Sequence, residues 1–509
     1  MARWRVRVRW RASLALTGLV LVALAAPLTF PALIALYYGE PLVPFLAAIA
    51  VTVALGGWMR RLSDPSENLG AREAFLAVSL IWLLVAAIGA IPFFVAGDGI
   101  VGRRTIGGVI SALFEAMSGL TTTGATTFVE GDFLEHSRSI LMWRQVIQWL
   151  GGLGILILAT AVLSSLNVAG AQLMETETQT RTVDKLTPRI SETARLIWGL
   201  YVGLTLLAMG AYWALGLLGV APNMDLYNAV AHGFTTIATA GFSPEPESMG
   251  AFAPAVQWIA IPFMVTGSTS FVLLYFAIKV DPMRLLRNEE FHFYLGTIAF
   301  FTAIVAGVLT LSANPAFDPE EILRHALFNV ASIVTTTGYA STDFDVWGPA
   351  AKHMLFLCMF FGGMVGSTTC SIKSLRWLVA FKSLYRGLYM SIHPEAIRPV
   401  RVSGDPVDEE TIRDIYAYLL LSLIIFFLLT VLVVVDAARA GADVSQFDAM
   451  GAAASTFLNI GPAFGEAGPY GTYNVFPTST KVVMVILMWI GRIEIIPVLV
   501  LFTKSFWTS

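Results

Sequence analysis

Four short stretches of this sequence combine threonine, serine and one glycine in a way that lets the backbone itself do chemistry. They read ALFEAMSGLTTTGATTF (112–128), LYNAVAHGFTTIATAGFSP (226–244), HALFNVASIVTTTGYASTDF (325–344) and FDAMGAAASTFLNIGPAFG (447–465). Aligned, they bring Gly124, Gly241, Gly338 and Gly461 to one register, each after a short apolar helix pattern and before polar chain. Glycine accepts positive φ and close backbone approach, so the residues before it can turn successive carbonyls toward an axis. The segments Thr122, Thr123, Gly124; Thr239, Ala240, Gly241; Thr336, Thr337, Gly338; and Asn459, Ile460, Gly461 carry no charged side chain. Carbonyl oxygens that replace hydration water suit a monovalent cation, whereas a divalent ion calls for carboxylates.

The elements that must hold these loops are membrane spans. Of 509 residues, 56% are hydrophobic and 13% charged, with mean hydropathy +0.71, which leaves too little polar surface for a water-soluble globule of this size. A net charge of −3 gives no overall attraction to nucleic acid. Cys358 and Cys370 share one apolar stretch without metal-ligand spacing and read as packing residues. Apolar windows near 13–37, 42–59, 73–96, 139–166, 196–220, 252–279, 291–312, 351–381, 413–436 and 480–503 predict ten spans. The basic start and first apolar run resemble a signal peptide, but the run continues to Tyr38, so we read it as a retained span.

Arginines 3, 5, 7, 9 and 11, Arg60, Arg61 and Arg72, and the basic residues from Lys373 to Arg413 fall on one side of this threading. That bias predicts both termini in the cytoplasm.

The loops follow spans three, five, seven and nine, so the unit is span, pore helix, filter strand, span, repeated four times. Irregular backbone at membrane depth is tolerated only where protein buries it or it lines water. The predicted fold is therefore an all-α polytopic membrane protein with four span–pore-loop–span repeats in pseudo-fourfold arrangement, plus two extra N-terminal spans. The corresponding divisions are 1–70, 71–194, 195–288, 289–410 and 411–509.

Other polar residues need placing. Arg492 lies deep in the last span, where a charge is costly and marks a functional candidate; Glu494, two residues on, does not share its helix face. Lys373 reads equally as a gate contact or a snorkelling anchor. Glu115, His232 and Asn329 beside the pore helices read as satisfied packing groups. Segments 174–195 and 382–413 are the long polar surfaces on the cytoplasmic side, open to a docking partner. No Walker loop, metal cluster or nucleophile–base pair supports an enzyme.

At its loops the sequence resembles the Trk/Ktr/HKT superfamily of potassium transporters, most closely the TrkH/TrkG type of membrane subunit, over nearly the whole chain. The likeness rests on TTTGAT (121–126), AGFS (240–243), TTTGY (335–339), NIGP (459–462), GGMVGSTTCSIKSLR (362–376) and GRIEIIPVLVL (491–501). It implies potassium held by the twelve loop residues named above, and an intramembrane gate at 362–371. Gly362, Gly363, Gly366 and Ser367 fall within that gate. By its own position, apart from the resemblance, Arg492 reads either as holding the gate or setting a positive barrier in the pore, or as tying helices together through carbonyls, and Lys373 reads as above. The likeness further implies a homodimer, a cytosolic TrkA-type nucleotide-binding ring and the bacterial inner membrane, with no organic cofactor.

Two departures stand out: Ala240 replaces a second glycine, and Thr369, Cys370 and Ser371 interrupt a glycine-rich run. A proton- or sodium-coupled potassium symporter is the alternative reading. Repeats of one orientation and scarce intramembrane carboxylates weigh against it.

Overall fold

Proline, glycine and capping residues cut the apolar chain into helices of two lengths. The structure, a computed structural model, describes residues 8–63, 70–97, 105–129, 133, 137–161, 190–312 and 317–508. In chain order the helices are α1 Trp10–Tyr38, α2 Val43–Arg60, α3 Ala71–Ala96, α4 Ile106–Leu120, α5 Arg138–Ala161, α6 Ile190–Leu217, α7 Leu226–Ile237, α8 Pro254–Gly267, α9 Phe271–Lys279 and α10 Met283–Arg287. There follow α11 Glu289–Leu311, α12 Pro319–Val334, α13 Pro349–Cys358, α14 Ser374–Ile392, α15 Glu409–Arg439, α16 Gln446–Leu458, α17 Thr478–Arg492, α18 Ile496–Leu501 and α19 Lys504–Thr508. Arg401–Val402 and Asp405–Pro406 pair as a two-stranded hairpin, β1 and β2.

Among the described residues α1, α2, α3, α6, α11 and α15 are each long and apolar enough to cross a bilayer. Leu206 and Leu207 on α6, Phe300 on α11, and Leu420, Phe427 and Leu428 on α15 are exposed. Such surfaces suit lipid and would aggregate in water. The protein is a multi-pass membrane protein.

Three of the ten predicted spans are not continuous helices. The 252–279 window divides into α8 and α9, bent by 100°. The 351–381 window divides into α13 and α14 around non-helical chain from Gly362 to Lys373, and the 480–503 window breaks after Arg492, with φ 63° at Glu494 and 44° at Ile495. A hydropathy window measures composition, and the small and polar residues at these breaks barely lower it. The 174–195 surface falls mostly outside the described residues.

The short helices α4, α7, α12 and α16 have 15, 12, 16 and 13 residues. At 1.5 Å per residue they reach about 18–24 Å, less than the roughly 30 Å hydrocarbon thickness. Each starts on a side-chain N-cap: Thr105, Asp225, Asp318 or Ser445 accepts a bond from the backbone N–H three residues on. Such caps satisfy donors that the first helical turn leaves open.

Helices α1 and α2 are fastened to each other and to α5. Gly18 and Gly56 let α1 and α2 approach closely, since a Cβ at either would meet the other's carbonyl oxygen below 3.0 Å. Glu40 accepts from the N–H groups of Arg138 (2.8 Å) and Ser139 (2.9 Å), capping α5. On the opposite face, Lys382 pairs with Glu289 at 2.5 Å and Arg386 pairs with Glu409, tying α14 to the flanks of the hairpin.

Candidate ion pathway

Each short helix ends in the same turn. Thr122, Thr239, Thr336 and Asn459 take φ of 54°, 49°, 50° and 55°, two residues before glycines whose φ is 83°, 83°, 78° and 108°. The intervening Thr123, Ala240, Thr337 and Ile460 have no such positive φ, and each donates its N–H to a carbonyl five residues back, on Ser118, Thr235, Ser332 or Ser455, at 2.8–3.0 Å. This is the helix-ending bond that accompanies a left-handed residue. Alternating hand along consecutive residues turns their carbonyls to one side of the strand.

For threonine a positive φ is a true outlier, costing on the order of 1–3 kcal/mol. The same strain therefore recurs in three repeats, with asparagine, the residue most tolerant of it after glycine, in the fourth.

The four turns close on one another. A Cβ at Gly124 would meet the carbonyl oxygen of Ala240 below 3.0 Å; one at Gly241 would meet Thr337, one at Gly338 Ile460, and one at Gly461 Thr123. Loop one faces loop two, two faces three, three faces four and four faces one. The twelve loop residues named from the sequence thus come together around one centre. All four glycines line a cavity of about 240 Å³ that also touches Arg144, Glu245, Glu466 and Tyr470. The four helices aim their C-terminal, partially negative ends at this centre, which favours a cation there.

Nine residues before each glycine stand Glu115, His232, Asn329 and Ala452. The first three, all fully buried, hold the chain leaving their own loop. Glu115 accepts from Thr126 Oγ1 (3.0 Å) and Thr127 N (2.9 Å), His232 Nε2 bonds Ser243 Oγ (2.9 Å), and Asn329 Nδ2 donates to Ser341 Oγ (3.0 Å). They are bonded packing groups, as the sequence suggested. Where Ala452 has no such reach, Tyr473 donates to Gly461 O at 2.7 Å and Ser455 Oγ bonds the same glycine.

Sequence reasoning missed two residues of α5. Arg144 donates to Glu115 (2.8 Å), to Ser243 O (3.1 Å) and to Thr126 Oγ1 (3.2 Å), joining loops one and two. Gln148 grips loop two, donating to Ala240 O at 2.5 Å and accepting from Phe242 N at 3.0 Å. Their i, i+4 spacing in an apolar helix was the available signal, because it puts both on one face. Ala240 itself lacks the positive φ that would penalise a Cβ, so its replacement of glycine adds no backbone strain.

Between α13 and α14 the chain from Gly362 to Lys373 passes against the helix-ending turns of the loops. Gly366 has φ 78°, and Cβ atoms at Gly362 and Gly363 would collide with Cys370 O and Ser268 O. Met364 N donates to Ser268 O (3.0 Å), and Phe271 N to Gly366 O (3.0 Å), so the segment is laced into the break between α8 and α9. Ser367 bonds Met364 O (2.6 Å) and Thr369 Oγ1 (2.7 Å) within the segment.

Lys373 is 7% exposed and turns inward onto Thr369 O and Oγ1, which rules out snorkelling. Arg492, 1% exposed, donates to Thr368 O (2.9 Å), Cys370 Sγ (2.7 Å) and Gly151 O (2.9 Å), linking the segment to α5 and α17. Glu494 pairs instead with Arg376 on α14 at 2.6 Å.

A ring of uncharged backbone loops inside a bundle of membrane spans defines a cation transport protein. The family described as TrkH, cation transport protein, matches residues 43–317 and 293–508. The chain is 33% identical over 502 residues to the Trk system potassium uptake protein TrkH of Halomonas elongata, covering 98% of this chain and 99% of that protein. It is 32% identical over 508 residues to TrkH of Escherichia coli K12, covering 98% and 100%. The crystal structure of the potassium transporter TrkH from Vibrio parahaemolyticus superposes with a TM-score of 0.85 at 29% identity, covering 98% of this chain and all of that one. The chain belongs to the TrkH family, whose members are transporters and not enzymes.

Proposed function

We propose that this protein takes up potassium through the axis of its four loops, with the carbonyls of residues 122–124, 239–241, 336–338 and 459–461 replacing the ion's hydration water. The closed cycle of glycine-to-carbonyl contacts carries this reading, because at four equivalent points the atom nearest the glycine's Cβ position is a neighbouring loop's backbone oxygen. The named activity of the relatives, potassium uptake, agrees with it. The divisions 71–194, 195–288, 289–410 and 411–509 act as four quadrants of one pathway, with 1–70 outside it.

The 362–371 stretch of the segment between α13 and α14 is the gate. Gly362, Gly363, Gly366 and Ser367 form its pliable part, while Lys373 and Arg492 hold it closed. The loop face looks outward from a bacterial inner membrane, both termini lie in the cytoplasm, and two copies of the chain form a homodimer. A cytosolic TrkA-type nucleotide-binding ring docks on the hairpin face, where α14 presents Tyr385 and Leu388 and the chain between α14 and β1 presents Ile397. Names of the relatives as parts of a Trk system support a larger assembly of this kind.

The test is reversal potential of the purified protein in liposomes under opposed potassium, sodium and proton gradients. A reversal that follows potassium alone supports a pore. Movement with the proton or sodium gradient replaces it with a coupled symporter.

A further inference from the structure

The left-handed position of each loop carries a side chain as well as a carbonyl, and these four side chains are treated unequally. Thr122, Thr239, Thr336 and Asn459 are all 0% exposed. Thr239 Oγ1 donates to Ala238 O at 2.8 Å and also lies 2.9 Å from Thr368 Oγ1, and Thr336 Oγ1 accepts the N–H of Cys370 at 3.1 Å. Both partners belong to the segment between α13 and α14. Thr368 in turn donates to Gly267 O (2.9 Å) at the break after α8, and its carbonyl is one of those held by Arg492. In contrast, the hydroxyl of Thr122 is buried without a partner. Asn459 is engaged within the ring and its flank, donating to Thr123 Oγ1 of loop one (2.8 Å) and to Met488 O of α17 (3.0 Å).

The orientation of these threonines follows from their methyl groups. A Cβ at Gly151 would touch the methyl of Thr122, and one at Gly267 the methyl of Thr239, so each methyl is turned back onto the flanking helix of its own repeat. With the methyl so placed, the hydroxyl of Thr239 reaches the segment, and that of Thr122, set the same way, has nothing there to reach.

We propose that the segment closes the pathway by capturing the Thr239 and Thr336 hydroxyls, and that its withdrawal frees them to join Thr122 as hydroxyl ligands for a partly dehydrated monovalent cation at the inner end of the loops. Gate and filter are then one coupled device, in which loops two and three report the position of the segment and loop one does not. This rests on the four-loop reading above. A buried hydroxyl left without its partner is penalised, so release is favourable only when an ion or water replaces the segment.

Valine copies the shape and χ1 stiffness of threonine without the hydroxyl, so Thr239→Val and Thr368→Val remove the bond with little change in packing or in the left-handed strain. The experiment is rubidium influx into liposomes holding the full-length protein, for both single variants, the double variant, Thr368→Ser and Thr122→Val, each checked for monodispersity. A net hydrogen bond of 0.5–1.5 kcal/mol corresponds to a rise of about two- to tenfold in influx for Thr368→Val, and Thr239→Val, which also loses a hydroxyl ligand for the ion, should rise by less. The double variant should exceed the larger single effect by little, because either single variant already removes the Thr239–Thr368 bond, and Thr368→Ser, which keeps a hydroxyl for Thr239 and Gly267 O, should keep wild-type influx. Thr122→Val should lower influx, having no capture to release.

Unchanged influx in the single variants, multiplied effects in the double, or a rise with Thr122→Val overturns the capture. If Thr239→Val does not fold, Thr368→Val and Thr368→Ser carry the test: influx should rise with the first, and a rise with the second would count against the capture. Loss of potassium-over-sodium preference in the loop glycine variants is a separate readout. If that preference falls while the cycle is additive, the filter stands and only the capture is lost.

Discussion

The ring of four loops and the segment beneath it are built on opposite rules. In the ring, bonds are local and repeated: each short helix supplies a cap, a five-residue closing bond and, in three cases, a polar side chain that returns to its own loop. In the segment, a few internal bonds are joined by long-range, unique ones, made to the break after α8, to Arg492 of α17 and to the undersides of loops two and three. Local bonds survive motion elsewhere, so the ring is suited to hold a fixed geometry. Bonds between repeats break together when one element shifts, which suits a part that moves.

Removing the segment is the strongest way to break this contrast. Deletion of 364–370 leaves the ring's own bonds in place, and the largest expected effect is a rise in potassium influx without any partner protein. It is read by tracer uptake in liposomes. Unchanged or lower influx from folded, inserted protein would count against a gate.

Arg492→Gln should come next, since it weakens a buried cation's grip on Thr368 O, Cys370 Sγ and Gly151 O together. A hydrogen bond to a charged group contributes about 1.5–3 kcal/mol, so losing even one shifts the closed–open balance by roughly tenfold or more. Loss of folded protein instead would show that Arg492 chiefly ties helices together.

Gln148→Leu sharpens the other half. It frees Ala240 O and Phe242 N in loop two alone and should lower the potassium-to-sodium permeability ratio without raising basal influx. A rise in influx with selectivity intact would move Gln148 from the ring to the gate.

The smallest effect belongs to the caps. Asp318→Ala removes the capping box of α12, with an expected loss of about 1 kcal/mol in stability and no change in selectivity. Thermal unfolding in detergent measures it, and a selectivity change would mean that the cap also sets loop geometry.

The sequence was most legible where the fold repeats. Four glycines in register, short helices too brief to span, and uncharged residues before each glycine were all visible as pattern. The broken spans were not, because Ser268, Thr269 and Ser270 or the run from Gly362 to Lys373 change apolar composition too little to be seen in a window. Nor did any residue type announce the left-handed turns at Thr122, Thr239 and Thr336; only Asn459 is a common choice there. Those three threonines hold their conformation through packing and closing bonds, which exist only in the folded ring. Arg492 was singled out by its charge, but its partners, 124 and 341 residues away in sequence, were beyond any local reading.

Whether the four glycines form the ion's selective passage is settled most directly by bi-ionic reversal potential with potassium and sodium on opposite sides of the membrane, measured for serine at Gly124, Gly241, Gly338 and Gly461 in turn. At each, a side chain would press on the neighbouring loop's carbonyl and demand a positive φ that serine resists. The account predicts that every variant which inserts and conducts has a lower potassium-to-sodium ratio than the wild type. Four conducting variants with wild-type selectivity would contradict it.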